Sequence, residues 1–267
     1  MSSQTQKVCL TIAGLDPSGG AGVIADVKTF SAFGCFAAAV ITSVTFQNTA
    51  GVFGASHESA ETVRLQLDPV FADLTISAVK TGMLPTREII GTTAELLKDN
   101  DVKQLVVDPV VRSTSGFDLI DDEALLSLVE RLFPLASVVT PNIPEAERIA
   151  KFSIKNVDDL AKAAAVMRSF GAQNVLIKGG HFGNDEHATD HLFIGDKLEI
   201  FDTERINTTA LHGTGCTLSS AITANLALGH DLVEAVRIAK KFVTKAIRTA
   251  PNIGHGNSPI NQLLKMK

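Results

Sequence analysis

The chain has 267 residues, 45% of them hydrophobic, with a formal charge of −5 and a mean hydropathy of +0.20. That is enough apolar material for a large buried core, and a pI near 5.8 excludes a general nucleic-acid binder. Its three cysteines are odd in number and far apart, which excludes a disulfide framework and a zinc-ligand spacing.

In chain order, residues 8–12 predict a first buried strand. It runs into Ala13-Gly14-Leu15-Asp16-Pro17-Ser18-Gly19-Gly20-Ala21-Gly22, a glycine-rich loop whose backbone can approach a ligand. A helix is expected over 23–33, with Ile24, Val27 and Phe30 at core spacing. Gly20-Ala21-Gly22-Val23-Ile24-Ala25 fits the looser dinucleotide fingerprint, but it starts well past the strand and the next strand carries no ribose acid, so it is discounted. A second strand is expected over 37–46, breaking at Gln47-Asn48-Thr49. Helical patterns cover 61–71 and 87–98, with a short strand from Ile76 into Lys80-Thr81-Gly82-Met83 between them.

Residues 104–110 predict a buried strand with Asp108 at its carboxyl end. Residues 136–140 predict another, running into Pro141-Asn142-Ile143-Pro144-Glu145, and 174–178 a third, ending on Lys178. Stretches 190–193 and 198–201 read as an antiparallel hairpin around Gly195-Asp196. Strands alternating with helices, and strand runs of Val, Ile and Leu, predict a single α/β domain: a three-layer sandwich around a mainly parallel sheet. No run reaches the length of a membrane span, and a cytoplasmic protein without membrane partners is the expectation.

The chain is organised around His212-Gly213-Thr214-Gly215-Cys216-Thr217. The two glycines allow a tight turn, and the small apolar run behind them predicts a buried helix ending near Leu228-Gly229. Unpaired N–H groups and the helix dipole make such a turn an anion site, with Gly213, Thr214 and Gly215 as its cradle. The same positive end should lower the thiol pKa of Cys216 and make it a candidate base. Asp108, Asn142 and Glu145 supply hard oxygen ligands for Mg²⁺, and Lys178 a point charge for the transferring phosphate. The opposing account, that Asn142 and Asp108 cap helices and Glu145 is a first-turn acid, stands beside it. His181, His187, His191 and His212 form no metal-ligand pattern; only His212, beside the anion turn, is kept as a candidate. Gln47 and Asp26 could hydrogen-bond a flat heterocycle.

These motifs, in this order, resemble the hydroxymethylpyrimidine/phosphomethylpyrimidine kinases of thiamine biosynthesis, a branch of the ribokinase-like superfamily. The resemblance is carried by the loop 13–22, Ala25-Asp26-Val27-Lys28-Thr29-Phe30, Gln47-Asn48-Thr49, Lys80-Thr81-Gly82-Met83-Leu84, Val107-Asp108-Pro109-Val110 with Thr114-Ser115-Gly116, Thr140-Pro141-Asn142, Ile177-Lys178-Gly179-Gly180-His181 and, most sharply, Gly213-Thr214-Gly215-Cys216. It implies phosphorylation of 4-amino-5-hydroxymethyl-2-methylpyrimidine and then of its monophosphate, using ATP and Mg²⁺, with a homodimer expected. It further implies Cys216 as base, Gly213 to Gly215 as anion hole, and Lys178 with Asp108, Asn142 and Thr214 on the nucleotide phosphates. Asp108, Asn142 and Glu145 fall on the metal side; Gly14, Asp26, Gln47 and Met83 fall on the pyrimidine. Leu15, Thr81 and Gly116-Phe117-Asp118 depart mildly from the family pattern. The nearest rival is a pyridoxal or pyridoxine kinase; a non-catalytic vitamin- or nucleotide-binding protein is the rival of another class.

Overall fold

A computed structural model describes residues 6–112, 116, 118–180 and 186–264. Among the described residues nine strands form one sheet in the order β3-β2-β1-β4-β5-β6-β7-β8-β9. The strands are β1 (Val8–Leu15), β2 (Phe36–Asn48), β3 (Gly51–His57), β4 (Ile76–Thr81), β5 (Leu105–Val107), β6 (Val138–Val139), β7 (Asn174–Lys178), β8 (His187–Ile194) and β9 (Lys197–Glu204). From β2 to β7 every pairing is parallel; β3 and the β8–β9 hairpin are added antiparallel at the two ends.

The helices are α1 (Gly22–Ala32), α2 (Ala60–Asp73), α3 (Arg87–Asp99), α4 (Asp122–Leu132), α5 (Ile143–Ala150), α6 (Val157–Ser169), α7 (Thr214–Ala227) and α8 (Leu232–Arg248). Side chains alternate across the strands and divide the core in two. Leu105 and Val107 pack with α3 and α4 on one face, while Val106, Val138 and Leu176 pack with α7 and α8 on the other. Every residue of α7 from Thr217 to Ala227 is buried, because the helix lies between the sheet and its neighbours α1 and α8. Among the described residues no helix is long and apolar enough to cross a membrane.

The expected α/β sandwich with its mainly parallel sheet and terminal hairpin is the observed one. Two details differ. Strand β2 does not break at Gln47 but runs to Asn48, its register slipping between Phe46 and Gln47. It then turns back as β3, whose Gly51-Val52-Phe53-Gly54 gives little strand signal of its own. Strand β5 is shorter than expected: pairing stops before Pro109, which has no N–H to donate.

Candidate active site

The carboxyl ends of the parallel strands meet the amino end of α7 along a cleft of about 510 Å³. The strand order sets its long axis. Gln47 of β2, Gly14 of β1 and the loop residue Met83 after β4 line one end; Asp190 of β8, Thr203 of β9 and Lys240, Val243 and Ile247 of α8 line the other. The start of α7 lies between them.

That start is set by glycine. Gly213 caps α7 at φ +82°, and a Cβ there would stand 1.8 Å from the Gly20 carbonyl oxygen. The Thr214 N–H donates to the Leu211 carbonyl (3.2 Å), and the first intrahelical bond runs from the Thr217 N–H to Gly213 (2.9 Å). The N–H groups of Gly215 and Cys216 are therefore the ones without an intrahelical acceptor at the cleft. The expected cradle is shifted: Thr214 lines the cleft, but its N–H faces back into the turn.

Lys178 overlies this end, since a Cβ on Gly215 would lie 3.3 Å from its Nζ. Its ammonium donates to Asp108 Oδ1 at 2.7 Å, and Thr140 donates to the same oxygen at 3.2 Å. Burial alone would raise the Asp108 carboxyl; Lys178 and Lys80 outweigh it and hold it below the usual carboxylate range. Burial likewise would lower Lys178, but Asp108 and Glu145 hold its ammonium above the usual value.

Asn142 and Glu145 form a capping box at the start of α5. The Asn142 side chain accepts from the Glu145 N–H (2.9 Å), and Glu145 Oε2 accepts from the Asn142 N–H (2.8 Å). The side-chain oxygen of Asn142 thus serves as a helix cap, the opposing account the sequence offered for it. Among the described residues no three His, Cys, Asp or Glu side chains are grouped as a metal site. Asp108 and Glu145 nevertheless fit the way Mg²⁺ is held beside phosphates, through one or two carboxylates and water. Burial pushes Glu145 up to about 7, Lys178 pulls it down and the neighbouring Asp108 charge adds to the rise. Two such carboxylates side by side are the setting a divalent cation relieves.

Cys216 lines the cleft half-buried, where the sequence placed it. The helix start does not bring its thiol pKa down as expected. Burial pushes it up to about 11, against the pull of Lys80 and a hydrogen bond from the Gly22 N–H. Helix position alone does not decide a thiol that is enclosed and also faces Asp26 and Asp108.

Asp26 does not line the cleft. It is fully buried, gripped by Lys80 at 2.8 and 2.9 Å, Thr11 at 2.6 Å and Ser220 at 2.6 Å, so no oxygen is left to reach a substrate. Gly14, Gln47 and Met83 do line it, Met83 filling the space beside Gly14. His212 donates through Nε2 to Asp16 Oδ2 at 2.7 Å. Burial would raise the Asp16 carboxyl, but His212, Ser18 and Gln47 hold it below the usual carboxylate range. His181, Thr114, Ser115 and Phe117 lie outside the described residues.

Sequence reasoning missed Lys80, Asp190 and Lys240. A lysine inside the apolar run of β4 was the available signal for Lys80. Asp190 and Lys240 pair at 2.7 Å across β8 and α8, and no local pattern brings them together.

A helix N-terminus bared by glycines, with a lysine, a thiol and two carboxylates around it at the strand ends, defines a phosphotransferase of the ribokinase-like class. The sequence model for phosphomethylpyrimidine kinase matches residues 16–261. A hydroxymethylpyrimidine/phosphomethylpyrimidine kinase of Staphylococcus aureus is 42% identical over 98% of this chain and 95% of its own. The crystal structure of a phosphomethylpyrimidine kinase from Clostridium difficile superposes with a TM-score of 0.80 at 44% identity, covering 91% of this chain and all of that one (100%). The ADP complex of a Bacillus subtilis pyridoxal kinase superposes with a TM-score of 0.88 at 36% identity, covering 97% and 98% of the two chains. The chain belongs to the phosphomethylpyrimidine kinase family.

Proposed function

We propose that the protein transfers the γ-phosphoryl group of ATP to the hydroxymethyl group of 4-amino-5-hydroxymethyl-2-methylpyrimidine, and then a second phosphoryl group to the resulting monophosphate. The observation that carries this reading is the meeting of the Gly215 and Cys216 N–H groups, Lys178 and the Cys216 thiol in one cleft of a chain belonging to this family. ATP use is supported by the nucleotide bound in the related pyridoxal kinase.

The roles follow from position. The β8–β9 and α8 end, with apolar Val243 and Ile247 beside Thr203, takes the adenosine part of the nucleotide. The N–H groups of Gly215 and Cys216 and the Lys178 ammonium hold the phosphoryl group while charge builds on its oxygens. Gly14 gives a flat ring close access to the backbone, Met83 supplies a soft apolar surface, and Gln47 offers both a donor and an acceptor to a ring nitrogen and amino group. Cys216, as thiolate, takes the hydroxymethyl proton. Mg²⁺, held by Asp108 and Glu145 through water, would neutralise phosphate charge.

The same cleft admits a second reading, a pyridoxal kinase, because the B. subtilis enzyme of that name superposes over nearly the whole chain. Steady-state phosphorylation of the pyrimidine and of pyridoxal by the purified protein separates the two. The pyrimidine is expected to have the higher kcat/KM and to go on to a diphosphate. A higher kcat/KM for pyridoxal with no diphosphate formed would overturn the assignment.

A further inference from the structure

Two lysines flank the start of α7, and each is tied to an aspartate. The pair Lys178–Asp108 opens on the cleft, while in the pair Lys80–Asp26 both side chains are fully buried, Lys80 in the cleft wall and Asp26 behind it. The roles above use the first pair and leave the second without one.

An ammonium withdrawn from water is strongly unfavourable unless it is paired, and here it is fully paired. Both Asp26 oxygens hold Lys80, and Thr11 of β1 and Ser220 of α7 hold Asp26. Ser220 follows Cys216 by one helical turn, and residues four apart on a helix share a face. The face of α7 that carries the thiol therefore continues onto the ion pair. From the other side, a Cβ on Gly82 would lie 3.1 Å from Lys80 Nζ, and Lys80 forms part of the cleft wall. Apolar residues of like volume would serve stability as well as such a pair does, so its place beneath the thiol is the property to explain.

We propose that Lys80 is a positioning residue for Cys216: its buried ammonium, fixed by Asp26, stabilises the anionic form of the thiol that accepts the substrate proton. This rests on the reading of Cys216 as the base. When the thiolate forms, the thiol proton leaves to solvent. The thiolate then takes the hydroxymethyl proton as the hydroxyl oxygen bonds to the γ-phosphorus, and ADP departs with the electrons of the broken P–O bond.

The charges facing Cys216 come from every side. Lys80 from β4 and Lys178 from β7 favour the thiolate, together with the Gly22 N–H from α1; Asp26 from α1 and Asp108 after β5 oppose it. Of the charges, Lys80 acts most strongly on the thiol, and Cys216 in turn helps hold Lys80 charged.

The test is alkylation of the full chain by iodoacetamide between roughly pH 6 and 12, with Cys216 read alone by mass spectrometry and the midpoint taken from the fitted rate–pH curve. Asp26→Asn keeps the shape of the carboxylate and removes the opposing charge, so the alkylation midpoint should fall. Lys80→Met combined with Asp26→Asn removes the cation as well, and the midpoint should lie about one pH unit or more above that of Asp26→Asn. Equal midpoints in the two variants would overturn the proposal. If circular dichroism shows the double variant unfolded, Lys80→Gln combined with Asp26→Asn takes its place: a midpoint above that of Asp26→Asn supports the proposal and an equal one overturns it. Phosphorylation of the pyrimidine by the wild-type chain is measured alongside. Its absence would remove the substrate reading while leaving the thiol titration to stand or fall by itself.

Discussion

Gly213 and Gly20 are pressed so close that a Cβ on Gly213 would stand 1.8 Å from the Gly20 carbonyl oxygen. The loop after β1 and the start of α7 are thereby one unit. Gln262 donates to the same carbonyl at 2.7 Å, and His212 joins Asp16 alongside. Gly213→Ala meets both a backbone clash and a positive φ, and should cost about 2–4 kcal/mol in urea unfolding, with turnover falling at least about tenfold. Gly215→Ala is the contrast. Its Cβ would meet only the Lys178 Nζ, at 3.3 Å and with no backbone in the way, so stability should change less than in Gly213→Ala while turnover falls. Wild-type stability in Gly213→Ala would show that the loops can part without loss.

Lys178 lies over the bared N–H groups and is held by Asp108. Electrostatic groups placed where transition-state charge develops are worth on the order of 3 kcal/mol. Lys178→Ala should therefore lower kcat about a hundredfold or more. Near-normal kcat with an unchanged circular dichroism spectrum would remove Lys178 from the mechanism.

Glu145 is an acid raised from 4.5 to about 7, first by burial and then by Asp108. The folded state therefore binds this proton more tightly than the unfolded chain does. The resulting stability is fully present below pH 4.5, declines as pH rises toward 7, and is gone above it. Glu145→Gln keeps an acceptor for the Asn142 N–H without the charge. Relative to the wild type, its stability should improve through that window, by roughly 1–3 kcal/mol at alkaline pH. Urea unfolding at about pH 5 and pH 8 measures the difference. A gap that does not widen with pH would contradict the burial argument. Activity should fall in the same variant if Mg²⁺ is held as proposed, because one of the two carboxylates proposed to hold it is removed.

The parallel sheet and the strand-end positions of Asp108, Asn142 and Lys178 were legible because buried strands write themselves as Val, Ile and Leu runs that stop at a polar residue. The α7 anion turn was legible because glycine spacing dictates backbone geometry. What the sequence hid was partnership. Nothing local shows that Asp26 is captured by Lys80, 54 positions away and fully buried with it. The cap at Asn142, by contrast, was one of the two readings the sequence offered, and the capping box at the start of α5 bears it out. The thiol failed for a related reason: the helix N-terminus was visible, but the burial that outweighs it is a property of packing. Strand β3 was hidden because two glycines in a short segment weaken strand propensity, and pairing with β2 restores it.

Cys216 gives the sharpest test, because the two phosphorylations make different demands on it. The first attacks with an alcohol, a poor nucleophile that must lose a proton as the new bond forms. The second attacks with a phosphate oxygen, which is already ionised near neutral pH since the second phosphate pKa is about 6. Cys216→Ala should therefore suppress the first step strongly and the second much less, while Lys178→Ala slows both. The thiol, pushed up to about 11 by burial, is mostly protonated at neutral pH, so the first step in the wild type should quicken as pH rises. That rise should be missing in Cys216→Ala. Single-turnover assays started from the hydroxymethylpyrimidine and from its monophosphate read the steps separately. A first step at wild-type rate in Cys216→Ala would end the assignment of the thiolate as base. Equal loss in both steps would instead place Cys216 in the anion cradle, acting through its position at the start of α7 and not through its proton.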